Sequence, residues 1–123
     1  MILTSIPFRQ QMTGDDIIDH FRSKGVTRGG ETYLPPGAAL EVVNALDSAD
    51  FAVLGIEGAR ITEDTTEPDL GLIAICADES QLDWSIYKRS ANECARRFLA
   101  RLPAQPDLFV TMTTHSSVER RGY

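Results

Sequence analysis

Cysteine is scarce in this sequence. The two cysteines, Cys76 and Cys94, are too few for a disulfide framework and do not form a CxxC pair. We expect two buried free thiols, since unpaired cysteine is among the most buried residue types. A disulfide between them or a reactive thiol is the alternative. Free thiols suit a reducing compartment, so we expect a cytoplasmic protein.

Long apolar runs are also absent. The longest, Leu70 to Ala77, has the length of a strand and is too short to cross a bilayer. The N-terminal stretch MILTSIPFRQQM has no positively charged start, and Thr4, Ser5 and Pro7 interrupt its apolar part. We therefore expect neither a membrane-spanning segment nor a signal peptide.

Positive charge is in deficit. Twelve Lys and Arg stand against 18 Asp and Glu, which gives a net charge of −6. Nucleic acids and anionic membranes attract basic surfaces, so this balance argues against both as partners. It is compatible with a basic protein partner.

Common catalytic and metal-binding motifs are missing as well. The sequence has no GxGxxG, no Walker-type phosphate loop, no HExxH and no GxSxG. The acidic run at 63–69 lacks the alternating spacing and central glycine of a calcium loop. We therefore predict no metal site, no cofactor and no enzymatic activity. The alternative is a small enzyme that uses His115 or a cysteine for catalysis.

What the sequence does contain is enough apolar residue, 42%, for the core of one domain over residues 1–123. Periodicity, capping residues and turn residues predict the following elements. Helices are expected over Thr13–Lys24, Pro36–Ser48 and Ser80–Leu102, and strands over Met1–Phe8, Phe51–Ile61, Leu70–Ala77 and Leu108–His115. Loops are expected at 26–37 and Thr62–Asp69, with a frayed tail over Val118–Tyr123.

This order of elements predicts an α+β fold, with a small, mainly antiparallel sheet of three to four strands and helices packed on one face. The two neighbouring strands Phe51–Ile61 and Leu70–Ala77 are expected to form a hairpin. Gly55 and Gly58 interrupt the first of them, which indicates a bulge or a close approach of another segment.

Acidic residues are concentrated in the middle of the chain. Between residues 57 and 83, eight acids face one arginine, Arg60, which leaves seven net negative charges. A clustered acidic surface steers a basic partner and speeds association. The alternative is that these acids only keep loops soluble. The predicted partner-binding residues are Glu57, Glu63, Asp64, Glu67, Asp69, Asp78, Glu79, Asp83 and Trp84.

Trp84 is included because tryptophan is enriched at the centres of protein interfaces. It follows Asp83 at the start of the third predicted helix. The alternative for Trp84 is a half-buried core residue.

The stretch PGAALEVVNALDSADFAVLGIEGARI resembles a helix-then-strand unit of bacterial polymorphic-toxin immunity proteins, and is most similar to immunity protein family forty. The matching apolar positions are Ala39, Leu40, Val42, Val43 and Leu46, followed by Ala52, Val53, Leu54 and Gly55, with Glu57 as the acid after the strand. The later amphipathic helix is matched by Tyr87, Ser90, Ala91 and Phe98. The chain differs from this pattern at Ile56, where a second glycine is expected, and in the loop 62–69, which has no aromatic residue.

This resemblance covers about residues 36 to 102 and implies a small cytoplasmic protein that binds and neutralises a cognate toxin. Toxins that act on nucleic acid or nucleotides are usually basic around the active site, and an acidic surface would mimic the phosphates that they recognise. The competing hypotheses are the small enzyme described above and an adaptor module in a larger assembly.

Overall fold

The computed structural model describes residues 12–121, and the strand predicted at Met1–Phe8 lies outside them. The described residues form helices and strands in the alternation expected of an α+β fold. The helices are α1 (Gly14–Asp19), α2 (Pro36–Ser48), α3 (Trp84–Ala100) and α4 (Ser117–Arg120); the strands are β1 (Val26–Arg28), β2 (Glu31–Tyr33), β3 (Phe51–Ile61), β4 (Thr66–Ile75) and β5 (Leu108–Ser116).

Three strands form the main sheet in the order β4-β3-β5, with antiparallel pairing throughout. Helices α2 and α3 pack against each other and against β3. Ile56 of β3 and Val110 of β5 are fully buried in the core that these helices share with the sheet. The predicted fold, including a helical layer on one face of a small antiparallel sheet, is confirmed.

The glycines of β3 coincide with irregularities in strand pairing, as the sequence predicts. The register with β5 shifts between Val53 and Gly55, and the register with β4 shifts between Glu57 and Gly58. A Cβ atom at Gly58 would lie 2.7 Å from the Cβ of Leu72, which no ordinary contact allows. Position 58 therefore requires glycine, because the Leu72 side chain of β4 packs directly against it at the bulge.

Strand β4 begins earlier than the sequence predicts. The loop expected over Thr62–Asp69 is a short turn, and pairing with β3 starts at Thr66. Pro68 made this segment look like a loop, but an edge strand tolerates proline because one side of its backbone has no partner strand. β4 ends at Ile75 because the N–H groups of Cys76 and Ala77 both donate to the carbonyl of Leu54, at 2.8 and 3.2 Å.

The loop predicted at 26–37 contains a hairpin of two three-residue strands, β1 and β2. Gly29 and Gly30 connect them with φ angles of 58° and 80°, which glycine adopts without strain. The prediction was wrong because such short strands carry too few residues to show an alternating pattern. Leu34 then pairs with Val110, which ties the hairpin to the outer side of β5.

Helix ends differ from the prediction at both termini of the described segment. The capping box of Thr13 and Asp16 is confirmed, but α1 ends at Asp19 and a separate 3-10 turn covers Arg22–Lys24. At the other end, Val118 to Arg120 of the tail predicted to fray belong to α4 (Ser117–Arg120). Ser116 accepts a hydrogen bond from the Glu119 N–H at 3.2 Å, and the Glu119 carboxylate accepts one from the Ser116 N–H at 2.7 Å.

The expectation of two free thiols is wrong, because Cys76 and Cys94 form a disulfide with their Cα atoms 5.5 Å apart. Cys76 directly follows β4, and Cys94 lies on the side of α3 that packs on the core. The two residues meet through tertiary packing, which their spacing in the sequence does not reveal. The cytoplasmic expectation rested partly on free thiols and loses that part of its support.

Among the described residues, no helix combines the length and the apolar character needed to cross a membrane.

Candidate protein-binding surface

Four of the predicted acids surround the β3–β4 hairpin with exposed side chains. Glu57 lies on β3, Glu63 and Asp64 lie in the turn, and Glu67 lies on β4. None of them forms an ion pair within the described part of the chain. We call these four residues the acidic hairpin surface: Glu57 lies on the open face of the sheet, Glu67 lies on the opposite face as the cross-strand partner of Arg60, and Glu63 and Asp64 lie in the turn. Their charge is available to a partner.

Asp69 lies on the same strand but is engaged within the fold. Its carboxylate accepts a hydrogen bond from Arg60 Nε at 3.1 Å and another from the Gly71 N–H at 3.1 Å. The hydrogen bond that Arg60 donates to Asp69, together with the nearby charge of Asp107, holds the pKa of Arg60 above its usual value. Arg60 thus neutralises Asp69, and the charge offered to a partner comes from the acidic hairpin surface.

Asp78 and Glu79 lie beyond the end of β4 and make local contacts. The hydroxyl and N–H of Ser80 donate to Asp78 at 2.6 and 3.1 Å, and these hydrogen bonds hold the pKa of Asp78 below its usual range. Glu79 accepts a hydrogen bond from the Tyr87 hydroxyl at 3.5 Å. The Arg120 guanidinium lies 3.5 Å from the centre of the Tyr87 ring, so this group of acids has a cation beside it.

Asp83 and Trp84 start α3 and support its position. Asp83 caps the helix by accepting a hydrogen bond from the Ile86 N–H at 3.0 Å. The half-buried Trp84 stacks on Tyr87 with ring centres 5.6 Å apart, and its indole N–H donates to Asp50 at 2.9 Å. These contacts stabilise the start of α3 whether or not a partner binds.

The predicted acids therefore form two groups. Six residue steps along β3 separate the Ile61–Thr66 pair, next to the turn, from the Gly55–Ile75 pair at the far end. At about 3.3 Å per residue, the two ends of the hairpin are roughly 20 Å apart. Glu63, Asp64 and Glu67 lie at or near the turn, Glu57 lies two residue steps from the far end, and Asp78, Glu79 and Asp83 lie beyond that end.

Exposed apolar side chains lie beside the acidic hairpin surface on β4. Leu70 is 77% exposed, Ile73 46% and Ile75 82%. Ile73 is paired with Glu57, whereas the intervening Ala74 is paired with the buried Ile56. Because side chains alternate along a strand, Ile73 and Ile75 point away from the helices. We call Ile73 and Ile75 the apolar strip; the exposed Leu70 lies in the bulge.

The β1–β2 hairpin covers part of the same open sheet face. Ala59 and Ile61 lie two and four residues after Glu57 and so share its face of β3, yet they are only 4% and 5% exposed. A cleft of about 210 Å³ remains between this hairpin and the sheet. We call it the hairpin cleft; the lining residues used below are Glu31, Tyr33, Glu57, Ala59, Pro68 and Thr111.

Arg28 fixes the hairpin to the β3–β4 turn. Its guanidinium donates to the carbonyl of Thr62 at 2.7 Å and to the hydroxyl of Thr66 at 2.9 Å, and it also reaches the Thr65 carbonyl at 3.4 Å. Its contacts are to neutral oxygen atoms. Arg28 therefore holds the β1–β2 hairpin against the β3–β4 turn and forms no ion pair with a carboxylate.

Neither candidate for a catalytic nucleophile or base gains support from its surroundings. Cys76 and Cys94 are bonded to each other, so neither sulfur is a thiolate in this structure. His115 lies near the end of β5, half-buried and paired with Ala52. Within residues 12–121, no hydrogen bond joins His115 to an acid or a nucleophile.

Comparison with known proteins gives no match to a protein-family model, and no curated protein matches the sequence.

Sequence reasoning missed two parts of this surface. The sequence predicts a loop around Glu31 and Tyr33, although the Gly29–Gly30 pair is a signal of a hairpin turn. Ile73 and Ile75 belong to a continuous apolar run, LGLIAICA, which predicts a strand buried on both faces. Their exposure follows from their position on the face of β4 that no helix covers, and only the fold determines that.

Proposed function

We propose that this chain is a protein-binding module, an immunity protein that neutralises a cognate bacterial toxin by covering a basic surface on it. The observation that carries the proposal is the acidic hairpin surface, whose four carboxylates have no ion-pair partner among the described residues and of which Glu57 adjoins the exposed apolar strip. Apolar patches rimmed by charge are typical of surfaces that bind other proteins.

Binding explains this arrangement better than solubility alone. If the acids only kept the protein soluble, nothing would explain why Glu57 is paired with Ile73, an exposed apolar residue of β4. A basic partner would be steered by the carboxylates and would remove the apolar side chains from water, so the two features act on different steps of association. The action proposed is inhibition by contact, without chemical change, in the cytoplasm of the producing cell.

The first test uses the C-terminal domain of a large secreted protein encoded next to this chain. We expect that domain to inhibit growth when expressed alone, and co-expression of this chain to restore growth. Isothermal calorimetry should show a complex of defined stoichiometry. Absence of any such neighbouring toxin domain, or a toxic domain that neither binds nor is neutralised, would overturn the proposal.

A further inference from the structure

Carboxylates, an aromatic ring and apolar side chains meet where the β1–β2 hairpin borders the open sheet face. Glu31 from β2 and Glu57 from β3 line the hairpin cleft together with the Tyr33 ring. The cross-strand partner of Glu57 on β4 is Ile73, which belongs to the apolar strip. The hairpin cleft and the apolar strip are therefore neighbouring parts of one surface.

We propose that this surface docks an extended segment of a protein partner, with one arginine or lysine side chain in the hairpin cleft and apolar side chains on Ile73 and Ile75. This inference rests on the proposed function and specifies where and how the partner is held. The cleft, at about 210 Å³, is smaller than typical small-molecule pockets, which run from roughly 300 to 1,000 Å³. Its size fits one side chain.

The chemistry of the cleft selects a cation. Arginine and lysine pack their aliphatic stems on apolar surface while the charged group reaches polar atoms, and Ala59 and Pro68 provide that apolar surface. Glu31 and Glu57 are exposed carboxylates without an ion-pair partner among the described residues. A guanidinium group held between two carboxylates forms charge-assisted hydrogen bonds, and the Tyr33 ring adds cation–π attraction.

The face of β4 is better suited to docking than its free edge. Pro68 has no N–H to offer an added strand, and the bulge at residues 70–72 interrupts the regular spacing of backbone groups. Both features are common means of preventing edge-to-edge pairing. Recognition through side chains on the open face avoids these obstacles, and charge complementarity favours a basic segment over a second copy of this acidic chain.

The test uses two blocked pentapeptides that differ in one residue, Ac-Ile-Thr-Arg-Thr-Ile-NH2 and the same peptide with glutamine in place of arginine. We expect the arginine peptide to shift the backbone amide signals of Glu57, Thr111 and Ile73 in an NMR titration. The glutamine peptide should bind about fivefold or more weakly, since it loses the charge-assisted hydrogen bonds.

Variants separate the two parts of the surface. The double variant Glu31→Gln with Glu57→Gln should bind both peptides equally weakly, whereas Ile73→Ser should weaken both peptides by the same factor. Glu63→Gln, which removes one charge of the acidic hairpin surface outside the cleft, is the matched control and should preserve the preference for arginine. Thr111→Lys places a cation directly across from Glu57 and should abolish that preference in a folded protein.

Three results would overturn the proposal. They are no binding of the arginine peptide up to its solubility limit, equal binding of the two peptides, or an equal loss of the arginine preference in Glu63→Gln and in the double variant Glu31→Gln with Glu57→Gln, which would indicate unspecific ionic attraction. The proposed function fails separately. If toxin binding depends on salt but not on Glu57 or Ile73, only the proposed docking surface is wrong. If the peptide binds but no toxin exists, only the proposed immunity function is wrong.

Discussion

The buried amide of Asn92 holds the start of β3 against α3. Its side-chain oxygen accepts a hydrogen bond from the Val53 N–H at 2.8 Å, and its nitrogen donates to the Phe51 carbonyl at 3.0 Å. β4 pairs with β3 only from Gly55 onward, so these backbone groups have no strand partner on that side. The amide takes the place of the missing strand, which explains a fully buried polar residue in an apolar core.

Replacing this amide should be costly because it leaves buried backbone groups without partners. We expect Asn92→Ala to lower the free energy of unfolding by about 2–4 kcal/mol, measured by urea denaturation. The neighbouring, exposed Glu93→Ala is the control and should change it by less than about 0.5 kcal/mol. A loss below about 1 kcal/mol for Asn92→Ala would mean that water or a rearranged backbone satisfies Val53 and Phe51.

Two aspartates at the end of α2 tie this helix to α3. Burial opposes ionisation of Asp47, but hydrogen bonds from Asn92 and Arg96 and the charge of Lys88 outweigh it and hold its pKa below the usual range. The indole N–H of Trp84 and the nearby Lys88 likewise lower the pKa of Asp50. Asp50 has a φ of 70°, a backbone conformation that aspartate and asparagine tolerate better than most residues.

These lowered pKa values predict how stability depends on pH. The folded state binds fewer protons than the unfolded chain, so the stabilisation is present above the unfolded pKa of about 3.9 and is lost as pH falls through the lower folded pKa. The variant Asp47→Asn with Asp50→Asn should therefore be less stable than the wild type near pH 7, with the difference shrinking towards about pH 3. Urea denaturation at both pH values checks this; a constant difference would contradict it.

At the scale of elements, the Cys76–Cys94 disulfide joins the end of β4 to α3. The two cysteines are 18 residues apart, so the disulfide closes a loop that restricts the unfolded chain. In the chain-entropy model, a loop of this length stabilises the folded state by about 3 kcal/mol. We expect Cys76→Ser with Cys94→Ser to lower the free energy of unfolding by about 2–4 kcal/mol. Dithiothreitol should destabilise the wild type and leave the double variant unchanged.

Thiol titration of the denatured protein decides whether the bond forms. Protein purified under oxidising conditions should show no free thiol, whereas two free thiols would contradict the disulfide. The same titration on protein trapped by alkylation in the producing cell tests the proposed cytoplasmic location, because that compartment reduces most disulfides. A bond that stays intact in the cell would argue for an oxidising compartment.

The elements differ in how much of them the sequence determines. Helix α2 and strand β3 match the prediction at both ends, because a proline start and a long apolar run are local signals. The β1–β2 hairpin and α4 are too short for periodicity, although the Ser116–Glu119 capping box is visible in the sequence. The disulfide and the exposure of β4 depend on packing between distant segments, which no local pattern encodes.

The candidate surface was predictable to a similar extent. Charge clustering identified the acids at residues 57–67, but not that Asp69 pairs with Arg60 or that Asp83 caps α3. Sequence shows where carboxylates are numerous, whereas only the fold shows which of them the protein already uses.

For the whole molecule, the net charge of −6 is unevenly distributed. Helix α3 carries cations engaged with the end of α2, where Lys88 lies 3.1 Å from Asp50 and Arg96 lies 3.2 Å from Asp47. The acidic hairpin surface forms no ion pair among the described residues, and the Arg28 guanidinium beside its turn is bound to neutral oxygen atoms, including the Glu63 carbonyl at 3.4 Å. A field of this kind raises the association rate with a basic protein and weakens with salt, because exposed charges are screened.

The central claim is tested most directly by the association rate constant with the toxin domain, measured by stopped flow at roughly 50 and 500 mM salt. Glu63→Lys with Glu67→Lys should slow association about tenfold at low salt and flatten its salt dependence. The control, Glu41→Lys with Glu93→Lys, reverses two exposed charges elsewhere and should retain most of the wild-type salt dependence. A wild-type rate that ignores salt, or equal slowing by both double variants, would contradict recognition through the acidic hairpin surface.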